Sequence, residues 1–431
     1  MRFPEDSEFV CVIGWDEALY REALSWVDAV RRVAIVSESE RASDDPRVKI
    51  YLLESPLQME AIARKIGWSA VLRNMAVIGE GPLKKELERC HLAAGLILSE
   101  AAGYWIKPME NARANQMAYR RGIALAGAFA GIPAIIVGAG PSLKKNGRLL
   151  SAFAKRALIF AGGSALNEID MEPHFGGAID AEAPYRQFKI QPFSEIPFCY
   201  QSRMSRDNAS LVHGERLLFP DSSSDPINWI HGEERFDGGW TVGNFLTAAA
   251  VHMGCSPIVF VGMDLCYEEG RKYAQIEAEI PEGLIQARGK MTQRDWLMGA
   301  EWTEKMAEGR DFINATEGGL LALPAEKLSD VLKRCPIEKD LRVLVHETMQ
   351  RLPLSSSGER WKEWDLSLRN CKKKGVFLED EVVYQKLLLP LWEIWRPVFE
   401  REVEMDPRQK LEVHRSVFFQ TVLEEHGSIL S

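Results

Sequence analysis

The sequence is short of paired cysteines, of basic charge and of uninterrupted apolar runs, and each shortage removes a class of protein. Seven cysteines, at positions 11, 90, 199, 255, 266, 335 and 371, are scattered with no CxxC spacing. An odd, unclustered set argues against a disulfide framework or a zinc site and suits reduced thiols in the cytoplasm. Acidic residues outnumber basic ones by 62 to 53, for a net charge of −9. Neutralising nucleic-acid phosphates needs the opposite excess, so nucleic acid is not the expected partner. The run Lys372-Lys373-Lys374 reads as a solvated surface. The N-terminus, MRFPEDSEFVC, lacks the charged-then-apolar layout of a secretory leader. No charged residue lies between Arg121 and Lys144, but Gly131, Pro133, Gly138, Gly140 and Pro141 break that stretch. It predicts a helix over 108–131 and a buried strand, AIIVG, rather than a membrane span.

What remains is an ordinary globular composition, 46% hydrophobic and 27% charged, in a chain of 431 residues, long enough for two or three domains. Short apolar runs at 8–14, 32–37, 48–53 and 75–79 alternate with helix-period segments near 16–31, 56–67 and 82–100. This is the rhythm of a small α/β domain with a parallel sheet, expected over 1–107. The rhythm resumes over 108–335, with strands at AIIVG, ALIFAG, GGAID, IPFCYQ, ERLLF, PIVFVGMD and DFINAT. From 336 to 431 the chain turns to long amphipathic stretches, predicting a helical C-terminal unit. Its pairs Trp361/Trp364 and Trp392/Trp395 stand at i,i+3 spacing and read as packing.

The chemistry gathers at the ends of the second set of strands, the edge where open α/β sheets bind ligands. The stretch VGAGPSLKKN (137–146) lacks both the Gly-Lys-Ser/Thr ending of a Walker loop and the third glycine of a dinucleotide fingerprint. Gly138 and Gly140 still allow close backbone approach, Pro141 suits a first helical turn, Ser142 offers a hydroxyl, and Lys144 or Lys145 a cation. A phosphate cradle and a plain tight turn both fit. Ser164 and Asn167 follow the next strand; Asp180 ends another, with Glu182 two residues on; Asp264 ends a third, followed by Tyr267 and Tyr273. Carboxylates there can hold a ribose hydroxyl or Mg²⁺, and tyrosines can act as general acids. Thr241 and Gly243 lie in a glycine-rich approach to a small-residue helix, and His231, just upstream, is the histidine best placed for acid–base work. VIGEGPLKKELERC (77–90) echoes the first stretch, but its Glu80 would repel a phosphate.

Taken in order, GAGPSLKKN, GGSALNEID, GGAID, GGWTVGNFLTAAAVHMGCSPIVFVGMDLCYEEGRKYA and FINATEGG resemble the core of the MptE-like family over about residues 108–330. That family includes archaeal 6-hydroxymethylpterin diphosphokinases and Maf flagellin glycosyltransferases. Two of the blocks also resemble Campylobacter-type sialyltransferases. The resemblance implies an α/β protein with a Rossmann-like nucleotide-binding central domain. By it, Gly138, Gly140, Pro141 and Ser142 hold nucleotide phosphates, and Ser164 and Asn167 contact base or ribose. Thr241 and Gly243 close over the nucleotide, and Tyr267 and Tyr273 assist the departing phosphate. The sialyltransferase general-base histidine is missing from 275–300. The leading expectation is transfer of a nonulosonic-type sugar from a CMP-activated donor to a protein acceptor such as flagellin, with Asp180 or Glu182 as base. The alternatives are an ATP-dependent pterin diphosphokinase, with Mg²⁺ on Asp180, Glu182 and Asp264, and a non-catalytic scaffold that keeps the fold.

Overall fold

A computed structural model of the chain describes residues 3–428 apart from 105, 117, 183–194, 269, 273–282, 336–339, 375–378 and 407. The chain divides into two compact units: residues 106–369 form one, and 1–105 together with 370–428 form the other.

The smaller unit is built on β1 (Phe9–Ile13), β2 (Arg32–Ser37), β3 (Val48–Leu52) and β4 (Met75–Ile78), a parallel sheet in the order β3-β2-β1-β4. Side chains alternate across a strand. Phe9, Cys11, Ala34 and Val36 therefore enter one apolar layer, and Val10, Val12, Val33 and Ile35 the other. The helix Leu389–Met405 belongs to this unit: Glu404 pairs with Arg32 and Arg73, and Arg401 with Glu8. Within the helix Pro82–Tyr104, a Cβ on Gly95 would meet nothing within 4 Å. Gly95→Ala is therefore expected to stabilise this unit by about 0.5–1 kcal/mol, read as a higher urea midpoint.

The larger unit carries β5 (Tyr119–Arg121), β6 (Ala134–Val137), β7 (Leu158–Gly162), β8 (Phe175–Ala178), β9 (Phe198–Tyr200), β10 (Arg216–Leu218) and β11 (Ile258–Val261). A hairpin of β12 (Ile285–Ala287) and β13 (Lys290–Thr292) follows, then β14 (Phe312–Asn314) and β15 (Leu354–Ser355). Nine strands form one sheet, ordered β14-β11-β6-β7-β8-β9-β10-β5-β15, parallel except for β15. Apolar on both sides, β6, β7 and β11 are buried on both faces, as a parallel sheet between helices requires. Ile136, Phe160 and Phe260 enter one core layer, while Ile135, Ile159 and Val259 enter the other.

All seven strands expected in this region form. The helix expected over 108–131 does not: a helix runs only over Lys107–Ala114, followed by β5. Small-residue composition misled there, because the sheet recruits Tyr119-Arg120-Arg121 as a strand beside β10. The expected helical unit over 336–431 is also divided. Leu341, Val345 and Met349, spaced one turn apart, join the core of the larger sheet, whereas 370–428 group with the N-terminal residues. The tryptophan pairs follow that division. Trp364 packs near Trp229 at 6.1 Å, and Trp392 stacks on Phe399 at 5.5 Å. No helix among the described residues is long and apolar enough to cross a membrane.

Candidate functional site

Strand order places the site. The chain lays β7 through β10 on one side of β6, then returns to place β11 and β14 on the other. The carboxyl ends of β6 and β11 thus flank a topological switch point, where such sheets take ligands.

The glycine corner after β6 is closed. Gly138 N donates to Val261 O at 2.8 Å, Gly140 N to Gly262 O at 2.9 Å, and Leu143 N to Gly140 O at 3.0 Å. The buried Ser142 donates its hydroxyl to Asp264 Oδ2 at 2.7 Å and its amide to the same oxygen at 3.3 Å. A Cβ on Gly138 would lie 2.3 Å from Gly262 O, and one on Gly140 2.0 Å from Asp264 Oδ2. The expectation that Gly138, Gly140, Pro141 and Ser142 offer bare amides to a phosphate is therefore corrected. The glycines are there because the loop after β11 presses against the corner, and Pro141 has no N–H to offer. Asp264 is corrected with them. It is 1% exposed, its Oδ2 serves Ser142, and burial holds its carboxyl above the ordinary range against the pull of those two bonds. Within the corner only the amide of Ala139 donates in no described hydrogen bond.

Bare amides lie instead at the start of the helix Val242–His252. Thr241 caps it: its hydroxyl accepts from Asn244 N at 3.1 Å, and Asn244 Oδ1 accepts in return from Thr241 N and from Trp240 N. The amides of Val242 and Gly243 have no partner among the described hydrogen bonds, as first-turn donors ordinarily do not. The helix dipole adds partial positive charge there. The helix start lies over the sheet edge. A Cβ on Gly162 would strike Val242 at 2.3 Å, and Met263 Sδ sits 3.0 Å from such a position on Gly138 and 2.7 Å from one on Gly243. Gly138 and Gly243 therefore converge around one sulfur, with the end of β7 packed against the neighbouring Val242.

Ser164 and Asn167 flank this edge on the short helix Ala165–Glu168; Ser164 caps it without a side-chain bond and is half-buried. Asp180 follows β8, half-buried, and Glu182 is exposed. No three of His, Cys, Asp and Glu among the described residues gather as a metal-holding group. Asp180, Glu182 and Asp264 thus do not form the cluster a Mg²⁺ site on them requires. Tyr267 is buried; its hydroxyl accepts from Gln293 Nε2 at 2.9 Å and its ring stacks on Trp296 at 5.3 Å. Tyr273 lies outside the described residues.

His231 is held on both sides of its ring, Nδ1 against Tyr119 Oη at 3.3 Å and Nε2 against Ser202 Oγ at 2.9 Å. Burial pushes it down to about 4, so it is a neutral structural group and not the acid–base catalyst expected. Burial likewise brings His174 and His426 down to about 4, from an ordinary value of 6.5. A depressed histidine leaves the folded state neutral while the unfolded chain takes up protons, so stability falls as pH drops from about 6.5 to about 4 and is flat above. Replacing His174 with Gln is expected to flatten the pH dependence of the urea midpoint by about one proton, roughly 1.4 kcal/mol per pH unit.

Two residues that composition and motif did not single out complete the edge. Asn244 is fully buried and also donates to Gly299 O at 3.0 Å and Thr303 Oγ1 at 2.8 Å, fastening the cap to the helix Arg294–Met306. Asp295 opens that second helix. The T-x-x-N spacing of a capping box is visible in TVGN and could have disclosed the first.

Residues 109–270 match the family model described as 6-hydroxymethylpterin diphosphokinase MptE-like. No curated protein matches the chain. Among solved structures, a Maf glycosyltransferase from Magnetospirillum magneticum AMB-1 is similar at a TM-score of 0.59 and 16% identity, over 99% of this chain and 78% of that one. At that identity the likeness is one of fold. Three of the five motif blocks, nearly all of a fourth and the switch-point sheet's first strands lie within the matched segment: residues 109–270 are similar to the MptE-like family, and the rest of the chain lies outside that match.

Proposed function

We propose that the protein is a nucleotide-sugar-dependent glycosyltransferase that binds the donor's phosphate at the start of the helix Val242–His252. The observation that carries this reading is the pair of amides of Val242 and Gly243 without a partner among the described hydrogen bonds, at a helix start packed against Gly163 and, through Met263, against Gly138, whose chain neighbours are Ser164 and Ala139. A helix start with bare N–H groups favours an anion. The donor is a CMP-activated nonulosonic-type sugar and the acceptor a hydroxyl on a protein such as flagellin, in the cytoplasm. This finer assignment rests on the motif resemblance and on the Maf glycosyltransferase of like fold. A diphosphokinase would need a metal between two phosphates. The arrangement of carboxylates lends that reading no support.

Thr241→Asp tests the phosphate position. Aspartate is a good N-cap, so the helix keeps its start while a negative charge stands beside the two amides. CMP affinity is expected to fall at least about tenfold, roughly 1.4 kcal/mol, with the melting temperature of the unliganded protein little changed. A wild-type thermal shift with ATP and Mg²⁺ but not with CMP would move the assignment to the kinase. No shift with any nucleotide would leave a scaffold.

A further inference from the structure

The missing histidine leaves open what takes the acceptor's proton, and the second helix supplies an answer that rests on the transferase reading above. The helix Arg294–Met306 is seated against the phosphate-site cap at Gly299, where a Cβ would lie 2.7 Å from Asn244 Oδ1 and 3.2 Å from Thr241 Cγ2. Asp295 is four residues earlier, hence on the same face and about 6 Å along the axis. The segment is fixed at its start as well. Gln293 donates to Tyr267 Oη at 2.9 Å, Trp296 stacks on Tyr267, and Lys272 Nζ stands over the Trp296 ring at 5.4 Å. Asp295 is thereby held, half-buried, one turn before the residue that packs against the cap.

We propose that Asp295, on the helix whose Gly299 packs against the Thr241–Asn244 cap and whose start is fixed on Tyr267, is the general base of the transfer. The acceptor hydroxyl gives its proton to the Asp295 carboxylate while its oxygen bonds to the anomeric carbon. The bond from that carbon to the phosphate oxygen breaks, and its electron pair leaves with CMP. Burial first, and then the like charge of Asp180, raise the Asp295 carboxyl above the ordinary range; Lys272 and the backbone N–H groups of Asp295 and Trp296 oppose them. Two carboxylates in unlike surroundings are a recurrent way to place a base nearer neutrality.

The test couples glycine ethyl ester to carboxyls with a carbodiimide between pH 4 and 8 and maps the sites by mass spectrometry. Asp295 is expected to couple with a pH midpoint that its charged neighbours set. The midpoint should fall in Asp180→Asn and rise in Lys272→Met. An Asp295 midpoint that neither variant moves overturns the proposal. In a second arm, Asp295→Asn is expected to keep the wild-type thermal shift with CMP while CMP release from CMP-N-acetylneuraminate drops at least about 100-fold. Release at the wild-type rate in that variant, or CMP binding without release by the wild type, counts against Asp295. A wild type that shows no CMP shift fails the transferase reading itself, and the role of Asp295 in it falls too.

Discussion

Gly140→Ala is expected to cost about 3 kcal/mol or more, a drop of roughly 6–12 °C in melting temperature for a unit of this size. The added methyl would stand 2.0 Å from Asp264 Oδ2 and 2.7 Å from Gly262 O. Neither neighbour can retreat cheaply. Gly262 O is backbone and already accepts from Gly140 N, and Asp264 is buried and bonded twice to Ser142. Moving the carboxylate would leave a second oxygen of Asp264 without a partner, since Oδ1 has none already. A phosphate-binding glycine would behave differently, tolerating alanine in stability and failing in nucleotide affinity. Thermal unfolding without ligand separates the two, and a melting temperature within about 2 °C of wild type would contradict a closed corner.

Asn244→Ala is expected to be about as severe, on the order of 3–5 kcal/mol. One amide group satisfies Trp240 N, Thr241 N, Thr241 Oγ1, Gly299 O and Thr303 Oγ1, all within 2.8–3.2 Å, from a fully buried position. Alanine removes the reciprocal half of the cap and the tie to the helix Arg294–Met306. The half-buried amides of Trp240 and Thr241 would then lose the acceptor they share, while Gly299 O would keep the Thr303 hydroxyl. The Thr241 hydroxyl would still be present but without Asn244 to fix its direction. The loss should therefore appear twice, as a lower melting temperature and as weaker CMP binding by whatever protein remains folded. Asn244→Asp retains the acceptor oxygens but not the donation to Gly299 O and Thr303 Oγ1, so it should recover the cap and only part of the stability.

The fold was legible where burial on both faces makes a strand an unbroken apolar run, as in AIIV, LIFAG and IVFV. It was illegible where a strand depends on its neighbours. Tyr119-Arg120-Arg121 carries two arginines, and Arg120 enters the sheet because Glu215 takes its guanidinium. The division of the C-terminal third was hidden for a related reason, since an amphipathic stripe such as Leu341, Val345 and Met349 shows that a face is covered but not by what. At the site, motif reading misjudged the corner. Glycines are needed equally for a phosphate and for another loop, and the partner loop, Gly262-Met263-Asp264, lies more than a hundred residues away in sequence. Thr241 and Gly243 were legible as a helix start. Asp295 was not, because its setting comes from the packing of its helix against the Thr241–Asn244 cap and Tyr267, which no local spacing records.

A crystal structure with CMP measures directly where a nucleotide's phosphate sits. The expected result is phosphate oxygens at about 3 Å from the backbone nitrogens of Val242 and Gly243, with the Gly138–Ser142 corner still bonded to Val261, Gly262 and Asp264. A phosphate seated on the amides of Gly140 and Ser142, with the Asp264 carboxylate displaced, would contradict it.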